Sequence, residues 1–221
     1  MTTAIKQTAF FDLDRTVFRI NSGYQWLLYE RRRGHLTYGQ LLTGFLALTR
    51  YALGQGRLDG VLLNAISDYR GVATKDLERR TADFYADVVK ETIRPDACSA
   101  IEHHRTLGHR CVILTTSSQF LARLVAAELK FDGYLCTTLE SLDGVLTGAP
   151  KGLLCYGDGK RSYLEADLAR CGQDRRNAYF YTDSYSDLPA VEAVGYPRIV
   201  TPDRRLRKRA QEQGWPILDW A

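Results

Sequence analysis

Short runs of consecutive apolar residues recur along the chain and predict the strands of a sheet. They stand at residues 8–12, 110–114, 133–136, 177–181 and 197–200. Their apolar positions are continuous rather than alternating, which is typical of strands buried on both faces of a parallel sheet. Most of the runs are separated by helical patterns, at residues 96–107, 118–129, 160–171 and 186–194. This alternation predicts an open, mostly parallel α/β sheet.

The stretch between the first strand and the rest of the sheet has a different pattern. It contains no strong strand, and four helical patterns follow one another, at residues 22–33, 37–54, 58–69 and 74–93. An all-helical block at this point predicts a cap inserted over the strand ends. A short hairpin is expected at residues 137–148, because Asp143-Gly144 is a turn signal. We therefore predict an α/β core (1–19 and 95–221) and a helical cap (20–94).

Length and composition indicate a globular protein with one core and a modest inserted subdomain. The chain has 221 residues, of which 45% are hydrophobic and 25% charged, as is ordinary for such proteins. Thirty Lys and Arg against 26 Asp and Glu give a formal charge of +4, too small an excess to indicate nucleic acid binding. The basic tail PDRRLRKRAQEQGW is interpreted as an exposed amphipathic helix. We expect no nucleic acid partner, and the oligomeric state stays open.

The cysteines and the start of the chain indicate the compartment. The five cysteines are an odd number with no CxxC and no zinc-ligand spacing, which predicts reduced thiols. The first strand begins too early to leave room for a signal peptide, and no apolar run is long enough to span a bilayer. These features predict a cytoplasmic protein.

Polar side chains follow the apolar runs at the points where the strands end. The set comprises Asp12, Asp14 and Thr16 after the first run, Thr115, Thr116, Ser117 and Ser118 after the second, Asp183 and Asp187 after the fourth, and Lys160 at the head of a helix in CYGDGK. Ligands bind beyond the carboxyl ends of the strands in such sheets. We therefore expect these groups to converge at one end of the sheet.

The chemistry of this set suits metal-assisted phosphoryl transfer. Carboxylate oxygens suit Mg²⁺, which needs only a few of them together with water and substrate phosphate. Hydroxyls, helix N-termini and an ammonium hold phosphate oxygens. Plainer interpretations stay open: the aspartates as turn formers or helix caps, Thr115 as the end of a strand, and Lys160 as an exposed lysine with Lys151 and Arg161 as rivals.

Four segments, DLDRT, VILTTS, GDGK and YTDSYSD, resemble the four motifs of the haloacid dehalogenase superfamily in order and separation. The helical insertion after the first motif and the segment from DLPAVEAVGYPRIV onward resemble its phosphoserine-phosphatase-like branch. A DxDxT motif alone is weak, whereas four ordered motifs are strong. The resemblance implies a Rossmannoid parallel α/β core with an inserted all-helical cap, and the activity of a Mg²⁺-dependent phosphatase.

The resemblance also implies catalytic roles for the matching residues. Asp12 matches the nucleophile that becomes an aspartyl-phosphate. Asp14 matches the general acid that protonates the leaving alcohol and then acts as base toward water. Thr115 matches a group that holds a phosphoryl oxygen, and Lys160 matches one that neutralises its charge.

The implied Mg²⁺ ligands are Asp12, the backbone carbonyl of Asp14, and Asp183. Asp187 would bind the metal through water or orient Lys160. We assign Thr116 and Ser117, which follow Thr115 in the second motif, as substrate-binding residues.

The chain departs from true phosphoserine phosphatases at three places. Their glutamate that reads the amino group of serine matches a position around Ile20-Asn21, and the next acid here is Glu30. Thr116 and Ser117 replace glycines of the second motif, and Ser184-Tyr185-Ser186 replaces a Gly-Ala-Asn of the fourth. These departures argue against phosphoserine as the substrate. Candidates include phosphorylated amino-acid-like metabolites, histidinol phosphate, and lysolipid or glycerol phosphates.

The cap is expected to close over a small-molecule phosphate ester and exclude water. Its apolar stretch LLTGFLALTRYAL (residues 41–53) is interpreted as packing inside the cap, with a lipid-like substrate or a membrane surface as the alternative beside the basic ERRRGH. Two other function classes compete with hydrolysis: a phosphotransferase using the same intermediate, and a binding protein that keeps the fold. The intact set of Asp12, Asp14, Lys160 and Asp183 argues against the second.

Overall fold

The computed structural model describes residues 7–39, 42, 44–46, 49 and 58–221. The strands in this part of the chain are β1 (Thr8–Phe11), β2 (Arg110–Ser118), β3 (Gly133–Thr137), β4 (Leu139–Leu142), β5 (Val145–Pro150), β6 (Tyr179–Thr182), β7 (Tyr196–Val200) and β8 (Ile217–Leu218). One sheet has the order β3-β2-β1-β6-β7-β8, and all its neighbouring strands are parallel. β4 and β5 form an antiparallel hairpin.

The helices are α1 (Ser22–Arg32), α2 (Leu58–Ser67), α3 (Thr74–Phe84), α4 (Pro95–Thr106), α5 (Gln119–Glu128), α6 (Asp158–Arg170), α7 (Leu188–Val191) and α8 (Arg204–Gln213). Between β1 and α4, the described residues include helices α1 to α3, further helical residues between 38 and 49, and shorter turns at Leu13–Val17, Tyr85–Val89 and Lys90–Thr92. The predicted parallel α/β fold is confirmed, while the exact boundary of the cap stays a prediction.

One predicted helix is shorter in the structure, and one strand of the structure was not predicted. The pattern at residues 186–194 yields only the short α7, because a 3-10 turn, Tyr185–Asp187, precedes it. The edge strand β8 was not predicted, since its two residues are too few to form a pattern. The predicted helix 37–54, with its apolar stretch 41–53, lies largely outside the described residues. Of that range, residues 38–39, 42, 44–46 and 49 are helical.

The continuous apolar strands are explained by burial on both faces of the sheet. Phe11 and Ile113 pack in a cluster on one face, with α4 and α5 residues such as Ile101 and Val125. Phe10 and Val112, one position earlier on each strand, pack in a second cluster on the other face with residues of α6 and α8. Adjacent residues of a strand point to opposite faces, so both must be apolar here.

The helical insertion is attached to the core on two sides. At its ends, Arg19 donates its amide hydrogen bond to Thr92 O and Arg94 donates to Val17 O, both at 2.9 Å. On the far side, Leu146 of β5 donates to Val72 O at 2.9 Å. A cluster containing Ile66 and Leu77 of the insertion together with Phe120, Leu139 and Leu146 of the core surrounds that contact. Within the described ranges, no helix combines the length and the apolar character needed to cross a membrane.

Candidate active site

The chain turns sharply where β1 ends, and this turn presents the first pair of aspartates. The Asp12 amide donates to Tyr181 O at 2.9 Å, which continues the sheet for one more residue. Arg15 then takes a left-handed conformation with φ of 57°. That conformation costs a non-glycine residue about 1 kcal/mol or more, and such strain is concentrated at functional sites. Asp12 is 5% exposed at the carboxyl end of the central strand.

Lys160 reaches this strand end from the first turn of α6. Its Nζ lies 2.7 Å from Asp12 Oδ1 and 2.7 Å from Asp187 Oδ2, and the side chain is 2% exposed. The preceding Gly159 packs against Leu154 O so closely that a Cβ would lie 1.9 Å from it. Glycine in GDGK therefore allows the close packing of α6 that carries Lys160 inward. Burial opposes the charge of Lys160, but Asp12 and Asp187 outweigh burial and raise the pKa of the lysine.

Asp187 is held in turn by the end of β6. Thr182 Oγ1 donates a hydrogen bond to Asp187 Oδ2 at 2.6 Å, and the Ser184 amide donates to Thr182 Oγ1 at 3.2 Å. Thr182 is fully buried. A chain of contacts thus runs from Thr182 through Asp187 and Lys160 to Asp12.

The site carries more negative charge than its lysine balances. Burial raises the pKa of Asp12 to about 7, although Lys160 opposes the shift. Burial, followed by the charges of Asp12 and Asp187, raises the pKa of Asp183 well above its usual value. Among the described residues, no donor hydrogen-bonds to the Asp183 carboxylate, which is otherwise expected of a buried charge. A hard divalent cation bound by carboxylate oxygens fits this arrangement.

The predicted metal ligands do not all point to one place. No group of three or more His, Cys, Asp or Glu side chains in the described part of the chain is arranged to hold a metal ion. The Asp14 carboxylate is engaged by α1, since its Oδ1 accepts a hydrogen bond from the Ser22 amide at 2.7 Å. Asp187 is bonded to Lys160 and Thr182. Asp12 and Asp183 are therefore the side chains that could bind Mg²⁺, together with the Asp14 carbonyl and water.

The hydroxyl residues in the last part of β2 have different surroundings. Thr115 is 1% exposed, and its Oγ1 accepts a hydrogen bond from the Ser117 amide at 3.2 Å. Its own hydroxyl proton can therefore be donated to a ligand. Thr116 Oγ1 donates to Cys155 O at 3.0 Å, so this hydroxyl holds the loop before α6. Ser117 is half-buried.

The structure thus brings Asp12, Lys160, Asp183 and Asp187 together at one end of the sheet. The rival cations Lys151 and Arg161 are exposed, whereas Lys160 is buried. Sequence reasoning missed Thr182 and Ser22. Thr182 follows a strand like Thr115, which was a usable signal, but nothing in the sequence marks the Ser22 amide.

Comparison with known proteins identifies the family of the chain. The haloacid dehalogenase-like hydrolase family matches residues 9–192. The chain is 28% identical over 216 residues to phosphoserine phosphatase SerB1 of Mycobacterium tuberculosis, covering 96% of this chain and 70% of that protein. It is 27% identical over 221 residues to histidinol-phosphatase of Neisseria meningitidis, covering 98% of this chain and 100% of that protein.

A solved phosphoserine phosphatase with an analogue of its phospho-aspartyl intermediate has the same fold. The TM-score is 0.73 at 15% identity, covering 97% of this chain and 93% of that one. The family match spans most of the chain and includes the strand ends that carry the site. The chain therefore belongs to the haloacid dehalogenase-like hydrolase family, on its phosphoserine-phosphatase-like branch, and is a phosphoric monoester hydrolase.

Proposed function

We propose that the protein hydrolyses a small-molecule phosphomonoester in two steps, through an aspartyl-phosphate on Asp12. The observation that carries the proposal is the contact of Lys160 Nζ with Asp12 Oδ1 and Asp187 Oδ2, each at 2.7 Å, in a buried site. An ammonium fixed there would stabilise negative charge that develops on a transferring phosphoryl group. It would also fix the orientation of Asp12 for attack.

In the first step, Asp12 forms a bond to phosphorus while the bond from phosphorus to the leaving alcohol oxygen breaks. Asp12 Oδ1 is bonded to Lys160, which leaves Oδ2 for the attack. Asp14, in its protonated form, gives its proton to the leaving oxygen. Burial raises the pKa of Asp14, which favours that form. The Thr115 hydroxyl would donate to a phosphoryl oxygen.

In the second step, Asp14 takes a proton from water, and the water oxygen attacks phosphorus. The bond between phosphorus and Asp12 breaks, which releases inorganic phosphate and restores the Asp12 carboxylate.

When bound by Asp12, Asp183 and the Asp14 carbonyl, Mg²⁺ would supply positive charge that keeps the carboxylates ionised and polarises phosphoryl oxygens.

The surroundings of Glu30 support a substrate other than phosphoserine. Glu30 is the first acid after Asp14, and it is fully buried in an ion pair with Arg80 inside the helical insertion. A carboxylate in that ion pair is already neutralised and would not bind the amino group of phosphoserine. We propose an amino-alcohol-like or other small phosphate ester such as histidinol phosphate, which the named relative hydrolyses according to its name.

One observation favours a second candidate, a lipid-like phosphate ester. The exposed side chains of Tyr38, Leu42, Phe45 and Leu46 are apolar, and their spacing of four, three and one residues places them along one side of a helix. Lysophosphatidic acid would then be preferred over glycerol 3-phosphate, because its acyl chain adds apolar contact.

The test is phosphate release from p-nitrophenyl phosphate, phosphoserine, histidinol phosphate, glycerol 3-phosphate and lysophosphatidic acid, with Mg²⁺ or with EDTA. Asp12→Asn is compared with wild type and with Asp143→Asn, an exposed hairpin position with φ of 50° that asparagine tolerates. Release that requires both Mg²⁺ and Asp12, and that persists in Asp143→Asn, supports the proposal. Release that is unchanged in Asp12→Asn contradicts it. Added alcohols that appear as phosphorylated products would instead indicate a phosphotransferase.

A further inference from the structure

The carboxylate of Asp14 is held by the first helix of the insertion rather than by the core. Its Oδ1 accepts a hydrogen bond of 2.7 Å from the backbone N–H of Ser22, the first residue of α1. Ser22 is 2% exposed, so water does not compete freely for this amide. The amide of Tyr24, two residues further on, donates to Asn21 Oδ1 at 2.9 Å. Asp14 and Asn21 thus accept from two of the amides at the start of α1.

α1 belongs to the insertion by its packing. Trp26 of α1 packs edge-on against Phe84 of α3 and Tyr29 packs against it at a tilt, with ring centroids 5.1 and 5.3 Å apart. Trp26 also donates to Tyr69 Oη at 2.6 Å. The position of the Ser22 amide is therefore set by α1, which packs on α3 and shares a hydrophobic cluster with Phe11 of the sheet.

We propose that the Ser22 backbone N–H is the positioning group for the general acid and base, so that the insertion sets the orientation of Asp14. The inference rests on the proposed role of Asp14. Because Oδ1 accepts the hydrogen bond, the acid proton is carried by Oδ2, and Oδ2 is the atom that faces the leaving oxygen. Without the N–H, the carboxyl group can rotate about its last bond, and proton transfer to the leaving group becomes slow.

The variant Ser22→Pro tests this directly. Proline is accepted at the first position of a helix, and it removes the N–H together with the Ser22 hydroxyl, which also hydrogen-bonds to Asp14. Ser22→Ala removes the hydroxyl alone, so the difference between the two variants reports the N–H. Asn21 already has an extended backbone, with φ of −93° and ψ of 108°, as a residue before proline requires. Arg204→Pro is the matched control, since Arg204 is the exposed first residue of α8 and follows an extended Asp203.

The readout is the ratio of kcat/KM for p-nitrophenyl phosphate to that for phenyl phosphate. The nitrophenolate leaves readily without protonation, whereas phenolate gains from a positioned acid. We expect this ratio to rise about tenfold or more in Ser22→Pro, as in Asp14→Asn, since a general acid contributes about 10²–10⁴-fold. Arg204→Pro should keep the wild-type ratio. A general loss of structure would lower both rates and leave the ratio unchanged.

Three results would overturn the inference. The first is a folded Ser22→Pro enzyme with the wild-type ratio. The second is a rise of the same size in Ser22→Ala, which would assign the positioning to the hydroxyl. If Ser22→Pro does not fold, the amide proton of Ser22 is followed by NMR: it should shift upfield in Asp14→Ala, which has no acceptor, while that of Tyr24 stays, and an unshifted Ser22 signal overturns the inference. Failure of the proposed function looks different, because wild type would then show no Asp12-dependent release from either ester.

Discussion

The ammonium of Lys160 lies 2.7 Å from Asp187 Oδ2, and both side chains are 2% exposed. The same ammonium lies 2.7 Å from Asp12 Oδ1. One buried ammonium thus contacts both Asp12, the proposed nucleophile, and Asp187. Asp12 depends on this contact for both its charge and its orientation.

Lys160→Met is predicted to lower kcat by about 10²–10³-fold, because a preorganised charge at the phosphoryl group is lost. It should also lower the free energy of unfolding by about 3–5 kcal/mol, because Asp12 and Asp187 remain buried without their cation. Steady-state kinetics and urea unfolding measure the two effects. Lys151→Met, at the exposed neighbouring lysine, should change neither. A Lys160→Met enzyme with near-normal kcat would show that the lysine does not act on the phosphoryl group.

Thr182→Val is predicted to remove the hydrogen bond that holds the Asp187 carboxylate. The contact of Asp187 with Lys160 should then be less well fixed. The lost hydrogen bond to a buried carboxylate is worth about 1.5–3 kcal/mol, so kcat should fall by about tenfold with little change in KM. Thr81→Val is the control, since Thr81 is also buried and its Oγ1 donates to Leu77 O within α3 at 2.7 Å. Equal losses of kcat in the two variants would mean that Thr182 has only a structural role.

The role of Lys160 could be predicted from the sequence, whereas the role of Thr182 could not. Lys160 was identified because GDGK is a motif, and its glycine is needed for the close packing of α6 on Leu154 O. Thr182 and Ser22 were not identified, because their roles depend on side-chain and amide directions at the ends of β6 and α1. A one-dimensional pattern does not contain such directions. The direction of the Thr116 hydroxyl, which donates to Cys155 O, is likewise absent from the sequence, and substrate binding by Thr116 stays a prediction.

The elements themselves were largely predictable. The apolar runs identified the strands because the central strands are buried on both faces, as Phe10 and Phe11 illustrate. The pairing of β5 with the loop at Val72 was not predictable, because it joins segments that are far apart in the chain through backbone hydrogen bonds, which leave no pattern in the sequence. That pairing is what fixes the insertion on its far side.

Asp183→Asn is predicted to raise the melting temperature of the metal-free protein. The Asp183 carboxylate is buried near the like charges of Asp12 and Asp187, so its neutral replacement removes repulsion. Mg²⁺ should raise the melting temperature of wild type and have a much smaller effect on Asp183→Asn, while NaCl at equal ionic strength serves as control. If metal-free Asp183→Asn melts at a lower temperature than wild type, the site does not carry more negative charge than Lys160 balances.

His104 is predicted to make stability depend on pH. Its Nε2 lies 2.9 Å from Tyr181 Oη and its Nδ1 lies 2.9 Å from His109 Nδ1. Burial, followed by the charges of His109, His103 and Arg198, lowers the pKa of His104 from 6.5 to about 4. The folded protein therefore binds this proton less readily than the unfolded chain does.

It follows that the stability contribution of neutral His104 is complete above pH 6.5 and is lost as the pH falls toward 4. The slope is at most about 1.4 kcal/mol per pH unit for one proton. Urea unfolding of wild type and His104→Gln between these pH values measures it, because glutamine keeps a polar group near Tyr181 but does not titrate. Parallel curves for the two proteins would mean that His104 is not held neutral.

The most direct test of the account is detection of the phosphoryl group on Asp12. Asp14→Asn enzyme is mixed with p-nitrophenyl phosphate and Mg²⁺, quenched in acid within one turnover, and examined by mass spectrometry. This leaving group needs no acid, whereas hydrolysis of the intermediate needs the base, so the intermediate should accumulate. We predict a mass increase of one phosphoryl group, located on the peptide that contains Asp12. Release of nitrophenol without that increase, or with phosphate on another residue, would contradict the mechanism.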